Sequence, residues 1–79
     1  MADVTSMANK LAEECLAVQG EIGNDRLFMD VAQVLGASSQ TLEEAFLTAV
    51  RTRMAETAGR RFLAQKLKDH RAGTATDAP

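Results

Sequence analysis

The sequence holds one cysteine, Cys15, no tryptophan and no tyrosine; its only aromatics are three phenylalanines. A lone thiol excludes an internal disulfide, and with no signal-peptide pattern at the N-terminus it points to a reducing, cytoplasmic setting. No apolar run approaches the roughly 20 residues that a helical membrane span requires. Metal-ligand spacings of the CxxC, HxxxH or ExxH type are missing, and Gly20 and Gly23 do not form a phosphate-cradling loop. Catalytic groups are equally scarce. His70 is the only histidine, and Cys15 lies in the apolar stripe of the first helical segment, where burial makes a thiol a poor nucleophile. The neighbouring carboxylates Glu13 and Glu14, and likewise Glu43 and Glu44, diverge by about 100° around a helix and cannot act as a pair. The expectation is a protein that is not an enzyme, with no metal and no cofactor.

What remains is short and alanine-rich. At 79 residues there is room for one domain, and a chain of this size shields a smaller fraction of its surface than an average domain does. Hydrophobic residues make up 46%, but many are alanines, so the core is expected to be thin. Small scaffolds of this kind usually need a disulfide, a metal or a partner. With the first two absent, association with another chain is the expected stabiliser.

The net charge of −2 hides an asymmetry: residues 1–44 sum to −6 and residues 45–79 to +4. A basic C-terminal half suits an acidic partner or nucleic acid. The more economical expectation is that the halves fold together, with arginines such as Arg51, Arg53, Arg60 and Arg61 opposite Glu13, Glu14 and Glu21. No aromatic is interleaved with these arginines as single-strand binders require.

Hydrophobic periodicity predicts three helices, or four if the last one breaks at Gly59. The first runs from Val4 to about Gln19, with Val4, Met7, Ala8, Leu11, Cys15 and Val18 on one face and Asp3, Thr5 or Ser6 as its cap. Gly20 and Gly23 end it. Asn24 or Asp25 caps a second helix, RLFMDVAQVL, whose buried side carries Leu27, Phe28, Val31, Ala32 and Leu35, and Gly36 closes it in a left-handed conformation. The third starts between Ser38 and Thr41, where Thr41 and Glu44 fit a capping box. Its apolar residues Leu42, Phe46, Val50, Met54, Ala58 and Phe62 recur every fourth position, so their line creeps about 40° round the helix per step. Two short helices cannot cover a line that travels so far. The helical domain is expected to occupy residues 1–71, with residues 72–79 a small, polar, disordered tail.

The stretch Phe28 to Leu47 contains Ala32, Gly36 and Leu42 with apolar Val31, Leu35, Ala37 and Ala45 around them, and in this it resembles a helix-turn-helix unit. The resemblance covers about a quarter of the chain. It implies that the second helix of the unit enters the major groove with Ser38, Ser39, Gln40, Glu43, Glu44 and Leu47 toward the bases. Glu43 and Glu44 would stand beside phosphates there, and no Lys or Arg occurs between Arg26 and Arg51.

Together these features predict an all-α bundle that is a non-catalytic interaction module: an adaptor, inhibitor or accessory subunit binding a partner, or a second copy in a homodimer, through its C-terminal helix. The expected contact residues are Val50, Met54, Phe62, Leu63 and Leu67, rimmed by Arg53, Arg60 and Arg61. The alternative is a dimeric DNA-binding regulator in which Ser39 and Gln40 meet base edges and Arg51 and Arg53 meet phosphates. Met7, Met29 and Met54 could supply an adaptable surface, though methionines at helical spacing more often fill a core.

Overall fold

A computed structural model describes the backbone of residues 3–77 and the side chains of residues 3–73. The architecture is all-α: α1 spans Val4–Ile22, α2 Leu27–Gly36 and α3 Gln40–Asp77, with no strand among the described residues.

Local chemistry sets most of the boundaries. Asp3 caps α1, its Oδ1 accepting the Ser6 amide at 2.8 Å. That bond holds the Asp3 carboxyl below its ordinary pKa. At the other end Gly23 takes φ 70°, a left-handed conformation that glycine enters without steric cost, and donates its N–H to the Gln19 carbonyl. Asn24 does not cap α2 directly; its Oδ1 accepts from the Arg26 amide at 3.0 Å in the connecting turn. The free first-turn amide of α2 is satisfied from α1 instead, since Gln19 Oε1 accepts the Phe28 N–H at 2.8 Å.

The α2–α3 corner differs in detail from the expectation. Gly36 is the last residue of α2, not a left-handed terminator, and Gly23 is the one glycine with positive φ. A Cβ at Gly36 would lie 2.7 Å from Glu43 Oε1, the end of a flexible side chain that can turn aside, so space does not by itself require glycine there. Ser39 caps α3 by accepting the Leu42 amide on its Oγ at 3.1 Å, so Thr41 and Glu44 do not form the capping box.

The core is built from small residues on α1 and α2 and large ones on α3. Ala8, Ala12 and Cys15 of α1 and Ala32 of α2 are buried around Phe46 and Val50 of α3, which are fully enclosed. Burying each of the two large side chains stabilises the fold by about 1.5–3 kcal/mol. Leu27, Phe28, Val31 and Leu35 of α2 pack against this cluster as the periodicity predicts. On α1 the inward face is turned from the expected one. Ala12 and Leu16 belong to the core, whereas Met7 and Val18 are more than two-fifths exposed. Ala8 and Ala12 take the fully buried positions of that face, and the longer Leu11 and Leu16 pack at its edges.

Beyond Arg53 the picture changes. α3 does not break at Gly59 but continues as one helix to Asp77, so the backbone is helical where a tail is expected to begin at Ala72; residues 78 and 79 lie outside the described residues. Every described side chain from Met54 to Gly73 is exposed. The molecule measures 64 × 28 × 17 Å with a radius of gyration of 17.9 Å, against about 12 Å for a compact chain of this length. Its accessible surface of 6149 Å² exceeds the roughly 4,700 Å² of a compact monomer of equal mass by about 1,500 Å².

A candidate protein-association surface on α3

The projection of α3 follows from where its apolar residues fall. Positions that continue the core line past Val50, at three- and four-residue steps, are Arg53, Thr57 and Arg60. A helix face that turns polar has nothing to bury, so the bundle stops there. The apolar residues meanwhile walk to other sides of the helix. Val50 is fully buried, Met54 is 46% exposed, Phe62 62%, Leu63 68% and Leu67 48%.

The residues expected at a partner contact therefore separate into two groups. Val50 belongs to the chain's own core and not to any contact surface, because it still faces α1 and α2 when the line of apolar residues has not yet rotated away. Arg53 is likewise engaged within the chain. One of its terminal nitrogens lies 3.3 Å from Glu13 Oε1 and donates to the Asn9 carbonyl at 3.3 Å, while its Nε is buried without a hydrogen-bond partner. This is one pairing of the acidic and basic halves that the charge distribution predicts. Glu13 is largely solvated, so the ion pair contributes about 0–1 kcal/mol.

Met54, Phe62, Leu63 and Leu67 are exposed on the projecting half, together with Arg60 and Arg61. Local pairs brace this half as a helix. Arg60 donates to Glu56 at 2.8 Å, Gln65 donates to Asp69 at 2.8 Å, and the Lys66 ammonium lies 5.5 Å from the centre of the Phe62 ring. Each such four-residue pair is worth about 0.2–0.5 kcal/mol. That is too little to hold a long solvated helix firmly, since helices in water draw most of their stability from packing.

A shallow cleft of about 380 Å³ runs between the first half of α1 and α3, lined by Ala8, Asn9, Ala45, Thr48, Ala49 and Thr52 among others. Its walls carry methyl and hydroxyl groups and few charges. No sequence signal marks it in advance, because Thr and Ala on a helix face read as neutral surface.

The residues of the helix-turn-helix resemblance sit as follows. Ser39 Oγ accepts the cap bond of α3, Arg53 is tied to α1, and Gln40 and Arg51 are exposed. Cys15 and His70 are not brought together: the thiol is buried in the core, where desolvation raises its pKa, and the imidazole is on the exposed projection. Among the described residues no three of His, Cys, Asp and Glu converge as metal ligands. No described helix is long and apolar enough to cross a membrane. Comparison with protein-family models, with curated proteins and with solved structures finds no match to this chain.

Proposed function

We propose that this protein is a non-catalytic association module, an adaptor, inhibitor or accessory subunit of the cytoplasm, that works by laying the projecting half of α3 against another polypeptide. The observation that carries the reading is the exposure of Phe62, Leu63 and Leu67 on a helical segment, residues 54–73, in which every described side chain is exposed. Large apolar side chains grouped on one free helical segment mark a contact surface. The excess surface of about 1,500 Å² is more than the roughly 800 Å² that one partner contributes to a standard interface. A reduced, buried Cys15 accords with a cytoplasmic setting. The DNA-binding alternative draws less support, since Ser39 and Arg53, half of its contact residues, are committed within the chain.

The test is amide hydrogen exchange over residues 54–73, read beside molar mass across a dilution series. The expected result is that these amides are protected only when the chain is associated. A protein that stays at 8.5 kDa at every concentration and still protects residues 54–73 needs no cover, and that outcome overturns the reading.

A further inference from the structure

The fold does not ask for glycine at position 59. Its φ is not positive, and a Cβ added there would meet no described neighbour within 4 Å. Gly23, by contrast, sits at φ 70° where α1 ends. Gly59 lies in the middle of α3, six residues past Arg53, the last described side chain that is not exposed. Glycine in a helix interior disfavours the helix about fivefold relative to alanine. Thr57, two residues earlier, adds a branched side chain whose rotamers a helix restricts.

The side-chain pairs along the projection do little to offset this. Phe62 with Lys66 and Gln65 with Asp69 lie wholly beyond Gly59. Among the described residues one side-chain pairing spans it, Arg60 with Glu56 at 2.8 Å, and both partners are exposed. A pair of that kind favours the helix about twofold, less than the glycine opposes it. Beyond Gly59 the helix has no second place to begin, since a new first turn is disfavoured about a thousandfold. The outer residues are therefore helical only while Gly59 is. On the inner side Met54, Ala55, Glu56 and Ala58 extend a helix whose earlier turns the core already holds, with no nucleation cost.

We propose that Gly59 is a joint built into α3, at which the outer helix from Arg60 onward opens and closes while the bundle stays folded. In the free chain the outer segment exchanges between helix and coil. Phe62, Leu63 and Leu67 all lie beyond the joint and take their helical spacing only in the closed form. A partner that covers them closes the joint as it binds, and its apparent affinity falls with the fraction of chains that are open. That consequence rests on the association reading above; the joint itself is a property of the chain alone. The strength of docking is thus set in part at residue 59, which contributes no side chain to the contact.

The test uses backbone Cα chemical shifts, which report helix population residue by residue, at a dilution where light scattering gives 8.5 kDa. The shifts should be helical through Ala58 and drop in a step from Arg60 to Gly73. Gly59→Ala should raise the helix-to-coil ratio of residues 60–73 about fivefold and leave residues 40–53 unchanged. Gly59→Pro, which bars the closed form, should erase the helical shifts beyond it without moving the urea midpoint of the bundle. A lowered midpoint would mean that the outer helix and the bundle fold as one unit, and it overturns the joint. So does a smooth decline toward the C-terminus that Gly59→Ala does not alter, which is ordinary fraying. Equal helical shifts on both sides of Gly59, unmoved by Gly59→Ala, also overturn it; if the amides of residues 54–73 still exchange freely in that monomer, the association reading stands. A monomer that protects those amides overturns both.

Discussion

The two halves of α3 are one continuous helix with opposite fates. From Gln40 to Arg53 it is the centre of the core; from Met54 to Gly73 every described side chain is exposed. Each half carries four large apolar side chains, Leu42, Phe46, Leu47 and Val50 in one and Met54, Phe62, Leu63 and Leu67 in the other, so hydrophobic content does not decide which half is packed. The decision lies in the angle at which those residues leave the helix. Phe46 and Val50 face the alanines of α1 and α2, while Phe62 and Leu63 emerge where the core line has become Arg53, Thr57 and Arg60.

The sharpest way to break this contrast is to shorten one phenylalanine in each half. Phe46→Ala removes a fully enclosed ring from between three helices and should cost about 3–5 kcal/mol, enough to unfold much of a small domain's population. Phe62→Ala, measured at a dilution where the chain is monomeric, should stay within about 0.5 kcal/mol. Urea unfolding of the two variants reads the difference directly. Equal losses would mean that the projection packs on its own chain.

A second comparison sets the joint between α1 and α2 against the projection. Gln19 serves both helices: its backbone carbonyl receives Gly23 and Asn24, and its side chain receives the Phe28 amide at 2.8 Å and the Cys15 thiol at 3.9 Å. Gln19→Ala leaves the Phe28 N–H half-buried without its acceptor and should destabilise the packed half by about 1–2 kcal/mol. Exchange of the Phe28 amide should accelerate while that of residues 54–73 is unchanged. An unaltered Phe28 rate would show that α2 is held by apolar packing alone.

The helices and their order are legible in the sequence because their punctuation is local: Asp3, Gly23 and Ser39 each act within three or four residues of where they stand. The buried side of α2 is legible for the same reason, since its period is complete within ten residues. What the sequence conceals depends on distant parts of the chain. Gln19 caps a helix nine residues away, and nothing beside it announces that role. Opposed charge halves predict that arginines meet glutamates, yet the choice of Arg53 with Glu13 depends on how α1 crosses α3. On α1 the spacing places Ala8, Leu11 and Cys15 correctly but takes in Met7 and Val18 and misses Ala12 and Leu16, because a stripe of apolar residues does not fix the angle at which the helix meets α3. Val50 is expected at a contact surface and lies in the core because a four-residue ladder shows that a line of side chains rotates without showing where it leaves the core.

The smallest expected effect comes from acid. The Asp3 carboxylate accepts the Ser6 amide in its charged form, which is why its pKa lies below the ordinary value. A group whose folded pKa is depressed contributes stability above its unfolded pKa and loses that contribution as the pH falls through the folded one. The first turn of α1 should therefore loosen only at acid pH. Because Asp3 is fully solvated, the effect on global unfolding should be slight. It should be visible in the Ser6 amide, whose exchange, corrected for the intrinsic pH dependence, should quicken on acidification. Asp3→Asn, which keeps an oxygen acceptor and cannot titrate, should abolish that pH dependence while preserving the cap. The projecting half carries no such carboxylate at a helix start, so residues 54–73 should show no matching change; if they do, the two halves of α3 are coupled through α1 and the division between them is less sharp than their burial indicates.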